Sequence, residues 1–128
     1  MRYRPATGEN TRMNLRIKRV YAKPDREDGK RILVDRLWPR GLTKEKAKVD
    51  LWLKDVSPSN ELRKWFGHDP KKWPEFRRRY KKELKTLDSS LAALRQEARQ
   101  ETVTLVYGAK DQAHNEAVVL LELLQKDA

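Results

Sequence analysis

The chain has 128 residues, the length of a single domain, and its 30 Lys+Arg against 19 Asp+Glu give a net charge of +11 and a pI near 10.0. The absence of cysteine excludes disulfides, thiolate catalysis and cysteine-ligated zinc. No apolar run approaches the ~20 residues of a membrane-spanning helix, and no charged-apolar-small signal pattern opens the chain, so a soluble cytoplasmic protein is expected.

Met1 to Arg12 hold Pro5, Gly8, Asn10 and scattered charges with no apolar period, which predicts a disordered arm over 1–12 ahead of one domain over 13–128. Leu15, Ile17 and Val20, with cations between them, predict a first strand over 14–21. Ala22 to Lys30 is a polar loop with room for one helical turn. Next comes the most distinctive stretch, Arg31 to Gly41, RILVDRLWPRG. Ile32 to Asp35 reads as a strand whose continuous apolar run expects cover on both faces. Pro39 stiffens the chain after it, and Gly41 permits a turn.

Thr43 is the expected N-cap of a short helix through Lys48. Asp50 to Val56 is ambiguous between a strand and an extended segment. Ser59 or Asn60 caps a helix carrying Leu62, Trp65 and Phe66, which Gly67 ends. Asp69 and Pro70 look like an N-cap and a first-turn proline, with regular helix expected only from Pro74. Trp73, Phe76, Tyr80, Leu84 and Leu87 form a one-sided apolar stripe. Asp88 or Ser89 caps a further helix with Leu91, Leu94 and Ala98 inward. Thr102 to Tyr107, TVTLVY, is the strongest strand pattern in the chain. Asp111 is the expected N-cap of a last helix with Ala113, Ala117, Leu120, Leu121 and Leu124 inward.

Strands separated by helices predict an α/β fold: a single small domain with a short, mainly parallel sheet flanked by helices. Ligands bind such sheets at the carboxyl ends of the strands. If the two best strands are parallel neighbours, Asp35, Arg36, Arg40, Lys110 and Asp111 converge on one edge.

These segments resemble a known family. RILVDRLWPRGL, WLKDVSPSNELRKWFGHDP, the spacing of Phe76, Tyr80, Glu83 and Leu84, and VTLVYGAKDQAHNEAVVLLELL are similar to the YeaO-like family, a branch of a larger domain family of unknown function. The resemblance runs from about Leu15 to Leu124. Its pattern falls on Asp35, Arg36, Trp38, Pro39, Arg40 and Gly41, then Pro58, Ser59, Leu62 and Arg63, then Tyr107, Lys110 and Asn115. It implies a small bacterial or archaeal cytoplasmic α/β protein and supplies no activity, cofactor or substrate.

The chemistry therefore rests on the residues. Arg36 and Arg40 form a candidate fork for phosphate or carboxylate; the plainer reading pairs Arg36 with Asp35. Lys110 stands where a helix N-terminus is expected, which attracts anions. Asp35 is the candidate acid–base residue, or else it caps a turn. Asn115, His114, Tyr107 and Trp38 complete the candidate ligand contacts, with surface or core roles as the alternative for each. His68, His114, Asp35 and Asp111 fit no metal-ligand spacing, and no cofactor motif is present. Two functions follow. The first is binding of an anionic, phosphate-bearing small molecule at the sheet edge, with or without acid–base catalysis. The second is a basic nucleic-acid-associated module using Arg77, Arg78, Lys81, Lys82 and Lys85.

Overall fold

The central strand of the sheet is the one whose composition is most strand-like. In a computed structural model describing residues 12–126, β1 (Leu15–Arg19), β2 (Lys30–Leu33), β3 (Leu51–Trp52) and β4 (Val103–Tyr107) form one parallel sheet in the order β1-β4-β2-β3. The arm expected over 1–12 lies, apart from Arg12, outside the described residues. All five residues of β4 are buried, because β1 and β2 flank it and helices cover its surface. Leu105 stands level with both Ile17 and Ile32.

β2 is shifted from the expected 32–35. It starts at Lys30, and Arg31 is itself buried. Its guanidinium donates to the Ala47 carbonyl at 2.8 Å and pairs with Asp28 at 2.7 Å, which removes the charge penalty of a cation in a strand. Val34 still donates to the Val106 carbonyl at 3.1 Å, but Asp35 leaves the ladder. The ambiguous 50–56 segment resolves into the two-residue β3 and a 3-10 turn, Lys54–Val56.

Short helices follow their caps. Thr43 caps α1 (Lys44–Ala47), and Ser59 caps α2 (Asn60–Phe66), which ends on Gly67 at φ 52°. Asp69 caps a 3-10 turn, Pro70–Lys72, that leads into α3 (Trp73–Leu84), one residue ahead of Pro74. α4 (Asp88–Gln100) already includes Asp88, with Leu87 at the cap position and no side-chain cap.

The largest correction concerns α5 (Glu116–Lys126), which starts well after the expected Asp111 cap. Asp111 Oδ1 instead accepts the N–H groups of Ala113 at 2.9 Å and His114 at 3.0 Å, closing a separate turn. Asn115 caps α5, its Oδ1 accepting the Val118 N–H at 3.2 Å. Ala113 is consequently exposed, and the inner stripe is Ala117, Val119, Leu120 and Leu124.

Alternation along the strands splits the core. Ile32 and Leu105 pack with Phe76, Tyr80, Leu84 and Leu120 on the side of α3, α4 and α5. Leu33 and Val106 pack with Val20, Ala47, Trp38 and Trp52 on the other. Among the described residues no helix is long and apolar enough to cross a membrane.

Candidate functional site

Beyond the carboxyl ends of β2 and β4 lies a cleft of about 650 Å³. One wall is the segment after β2, Asp35 to Arg40. The opposite wall is the segment after β4, Gly108 to Lys110 continuing through Asp111, His114 and Asn115 to Glu116. Pro58, Arg63 and Phe66 come from α2 and its approach, and Phe76 from α3. Arg40 and Lys110, far apart in sequence, thus line one hollow.

Asp35 sits where the ladder ends. Its Oδ2 accepts the Gly108 N–H at 2.8 Å, so a side chain takes the place of the next backbone pair. Its carbonyl accepts the Trp52 indole N–H at 2.7 Å. Facing it is Glu116, the first residue of α5, which lines the same cleft. Neighbouring carboxyl groups resist ionising together. Burial, then the Asp35 hydrogen bond and charge, push the Glu116 carboxyl well above its usual range. Glu116 Oε2 is buried without a hydrogen-bond partner. Glu116 is therefore a carboxyl that keeps its proton more readily than an ordinary glutamate.

The cations are arranged by depth. Arg36 is half-buried and donates from Nε to the Pro58 carbonyl at 3.1 Å. That loop is pinned by Glu83, which accepts from the Ser59 N–H at 2.9 Å and hydroxyl at 2.6 Å. Arg63 Nε is buried without any acceptor, while its other end makes only a long 3.4 Å contact to Asn60. Arg40 and Lys110 are exposed at the mouth. The Tyr21 hydroxyl donates to the Arg40 carbonyl at 2.7 Å and so fixes that turn. Among the described residues none of these four cations has an ion-pair partner, Asp35 included.

The remaining candidates take up varied positions. His114 lines the cleft, with Nδ1 2.8 Å from Asp111 Oδ2 and its ring edge-on to Trp73 at 5.2 Å. The His114 hydrogen bond, then the Ala113 N–H, holds the Asp111 carboxyl below its usual range. Asn115 is buried, caps α5 and donates to the Asp111 carbonyl at 3.0 Å. Trp38 lines the cleft but belongs to the smaller core, donating to the Leu42 carbonyl at 2.7 Å and meeting Trp52 edge-on. Tyr107 does not line the cleft; it lines a neighbouring hollow with Arg19 and Gln112 and hydrogen-bonds Asn115. Burial raises its hydroxyl above the ordinary value, against that bond. Lys110 is not beside a helix N-terminus, since α5 begins at Glu116 and Asn115 already caps it.

Glu116, Phe66 and Phe76 are cleft residues that sequence reasoning missed. Glu116 had a signal: it stands 3, 4 and 8 residues before Val119, Leu120 and Leu124, an acid on the apolar stripe of its helix. Elsewhere, the basic face of α3 is partly neutralised. Arg77 pairs with Glu122 at 2.5 Å, and Arg78 and Arg79 pair with Glu75 at 2.6 and 2.7 Å. These two arginines hold the Glu75 carboxyl down at about 2. Among the described residues no group of acidic or histidine side chains is arranged to hold a metal ion.

Residues 14–128 match the family described as the inactive DUF488-N3 subclade. The uncharacterized protein Rv3073c of Mycobacterium tuberculosis (strain H37Rv) is 44% identical over 110 residues, which cover 86% of this chain and 92% of that protein. The uncharacterized protein YeaO of Escherichia coli (strain K12) is 42% identical over 113 residues, covering 88% of this chain and 98% of that protein. No solved structure matches the chain. With the family match spanning nearly every described residue, and YeaO matched over almost its whole length, the chain belongs to the YeaO-like family within the inactive DUF488-N3 subclade.

Proposed function

We propose that the cleft binds a phosphate-bearing small molecule and does so without turning it over. One observation carries this reading: Arg36, Arg40, Arg63 and Lys110, from three separate segments, line a single cleft and lack ion-pair partners among the described residues. Unpaired cations around a concavity concentrate anions, and guanidinium groups match phosphate oxygens two at a time. The apolar walls from Phe66, Phe76 and Pro39 suit an organic ligand. Asp35 then serves as a fixed hydrogen-bond acceptor and not as a general base. The family's description as inactive favours binding over catalysis. A cytoplasmic setting, as expected from the sequence, belongs to the same reading.

The nucleic-acid reading has less support. Arg77 and Arg78 are committed to acids, leaving Lys81, Lys82 and Lys85 of the expected contact face. A melting-shift screen over inorganic phosphate, ribose 5-phosphate and adenosine monophosphate tests the cleft directly. The wild type is expected to be stabilised by one or more of them, and the Arg40→Ala, Lys110→Ala double variant to respond weakly or not at all. An equal response from both proteins overturns the proposal.

A further inference from the structure

The cleft is polarised. Exposed Arg40 and Lys110 stand at its mouth, and the Asp35–Glu116 pair forms part of its inner wall. A phosphate beside an ionised carboxylate is repelled, so the two ends must meet different parts of one guest. Asp35 Oδ2 is occupied by the Gly108 N–H at 2.8 Å, and Glu116 lines the same cleft. A carboxylate has about four acceptor directions, so this bond leaves capacity on Asp35, which is half-buried in the cleft wall. Glu116 Oε2 is buried and cannot itself reach a guest. It is a positioning residue that acts through Asp35.

Resting on the phosphate-binding reading above, we infer that the ligand bears a hydrogen-bond donor, a hydroxyl or amine, set to meet the Asp35 carboxylate while its phosphate meets Arg40 and Lys110. Glu116 lines the cleft beside Asp35 and positions its carboxyl. A charge-assisted hydrogen bond discriminates between guests that have the donor and guests that lack it.

The test compares ribose 5-phosphate with methyl phosphate by calorimetric titration. The wild type is expected to prefer ribose 5-phosphate by about tenfold. Asp35→Asn turns an acceptor towards the ligand into a donor and should bring the ratio close to one, with methyl phosphate binding at least as well as before. Glu116→Gln keeps a neutral donor to Asp35 and should keep the preference, whereas Glu116→Ala should lose it. A purely structural role for the pair would change both affinities together and leave the ratio alone. Equal wild-type binding of the two phosphates overturns this inference and leaves the anion site standing. Failure of both to bind overturns the two together.

Discussion

The Gly108 N–H lies 2.8 Å from Asp35 Oδ2, and through that bond the exits of β2 and β4 are held to each other by a side chain. The bond falls one step beyond the last backbone pair between these segments, Val34 to Val106. It turns a carboxylate towards the cleft at the point where the sheet stops protecting its own backbone groups. Everything that disturbs the Asp35 carboxyl should therefore be felt both in stability and in binding.

Gly108→Ala is the smallest such disturbance. A Cβ on Gly108 would stand 3.0 Å from Asp35 Oδ2 and 3.7 Å from the Tyr21 ring. Asp35 cannot retreat freely, because the Trp52 indole N–H holds its carbonyl at 2.7 Å. Overpacking of this kind costs about 1–2 kcal/mol, measurable by urea denaturation. The phosphate-induced melting shift should shrink in the same variant. Unchanged stability and binding would mean that the carboxyl moves at no cost.

The Asp28–Arg31 pair makes a second prediction, away from the cleft. Burial raises the Asp28 carboxyl, but the Asp25 backbone N–H and the Lys18 and Arg31 hydrogen bonds outweigh it and leave the group below its ordinary 3.8. A carboxyl depressed on folding contributes stability that is present above 3.8 and lost as pH falls through the lower folded value. Asp28→Asn should therefore be clearly destabilised at neutral pH, and the gap to wild type should narrow as pH falls below 3.8. Arg31→Met, which leaves the buried carboxylate with Lys18 as its remaining cation, should cost about 3 kcal/mol at neutral pH. Denaturation curves across pH decide both; a gap that stays constant into acid rejects the role of the Asp28 charge.

How far all this was legible in the sequence differs by feature. The parallel neighbours β2 and β4 were readable because ILV and TVTLVY are continuous apolar or β-branched runs, which only a strand covered on both faces accommodates. The convergence of Arg40 and Lys110 followed from that. The start of α5 was not readable. Asp111 and Asn115 are both good caps, and Ala113 extends the stripe equally well, so local propensity cannot choose between them. Tertiary packing chooses, by burying Asn115 and spending Asp111 on the turn that also holds His114. The Asp35–Glu116 contact depends on that choice and stayed hidden with it. Arg63 was visible only through the family pattern, since an N–H without an acceptor is a property of the folded surroundings.

Tyr80 links the core to the cleft. It is wholly buried, and its hydroxyl donates to the Val56 carbonyl. Val56 ends the 3-10 turn just before Pro58, whose carbonyl receives Arg36 Nε. Tyr80→Phe leaves the Val56 carbonyl without that donor, a loss of about 1–3 kcal/mol. Because the loop that holds Arg36 loosens, ligand-induced stabilisation should fall as well. A variant as stable as wild type would show that water replaces the hydroxyl.

Glu116 gives the prediction on which the reading of the inner wall depends. Its carboxyl is raised well above 4.5 in the folded protein, first by burial and then by Asp35, whereas in the unfolded chain it ionises normally. Between 4.5 and the raised value the folded state therefore holds a proton that the unfolded state has released. Stability is full below 4.5 and declines as pH rises through that window, by up to about 1.4 kcal/mol per pH unit. Glu116→Gln removes the titration while keeping a neutral group that donates to Asp35. The two proteins should be equally stable below 4.5, and the variant should gain on wild type as pH rises from there towards the raised value. Urea denaturation at a series of pH values checks this, with the slope of the difference as the readout. A flat difference, or a wild type that gains on the variant with rising pH, would mean that Glu116 is ionised when folded. The cleft would then hold two negative charges beside its cations, and Asp35 would no longer be a solitary acceptor awaiting a donor.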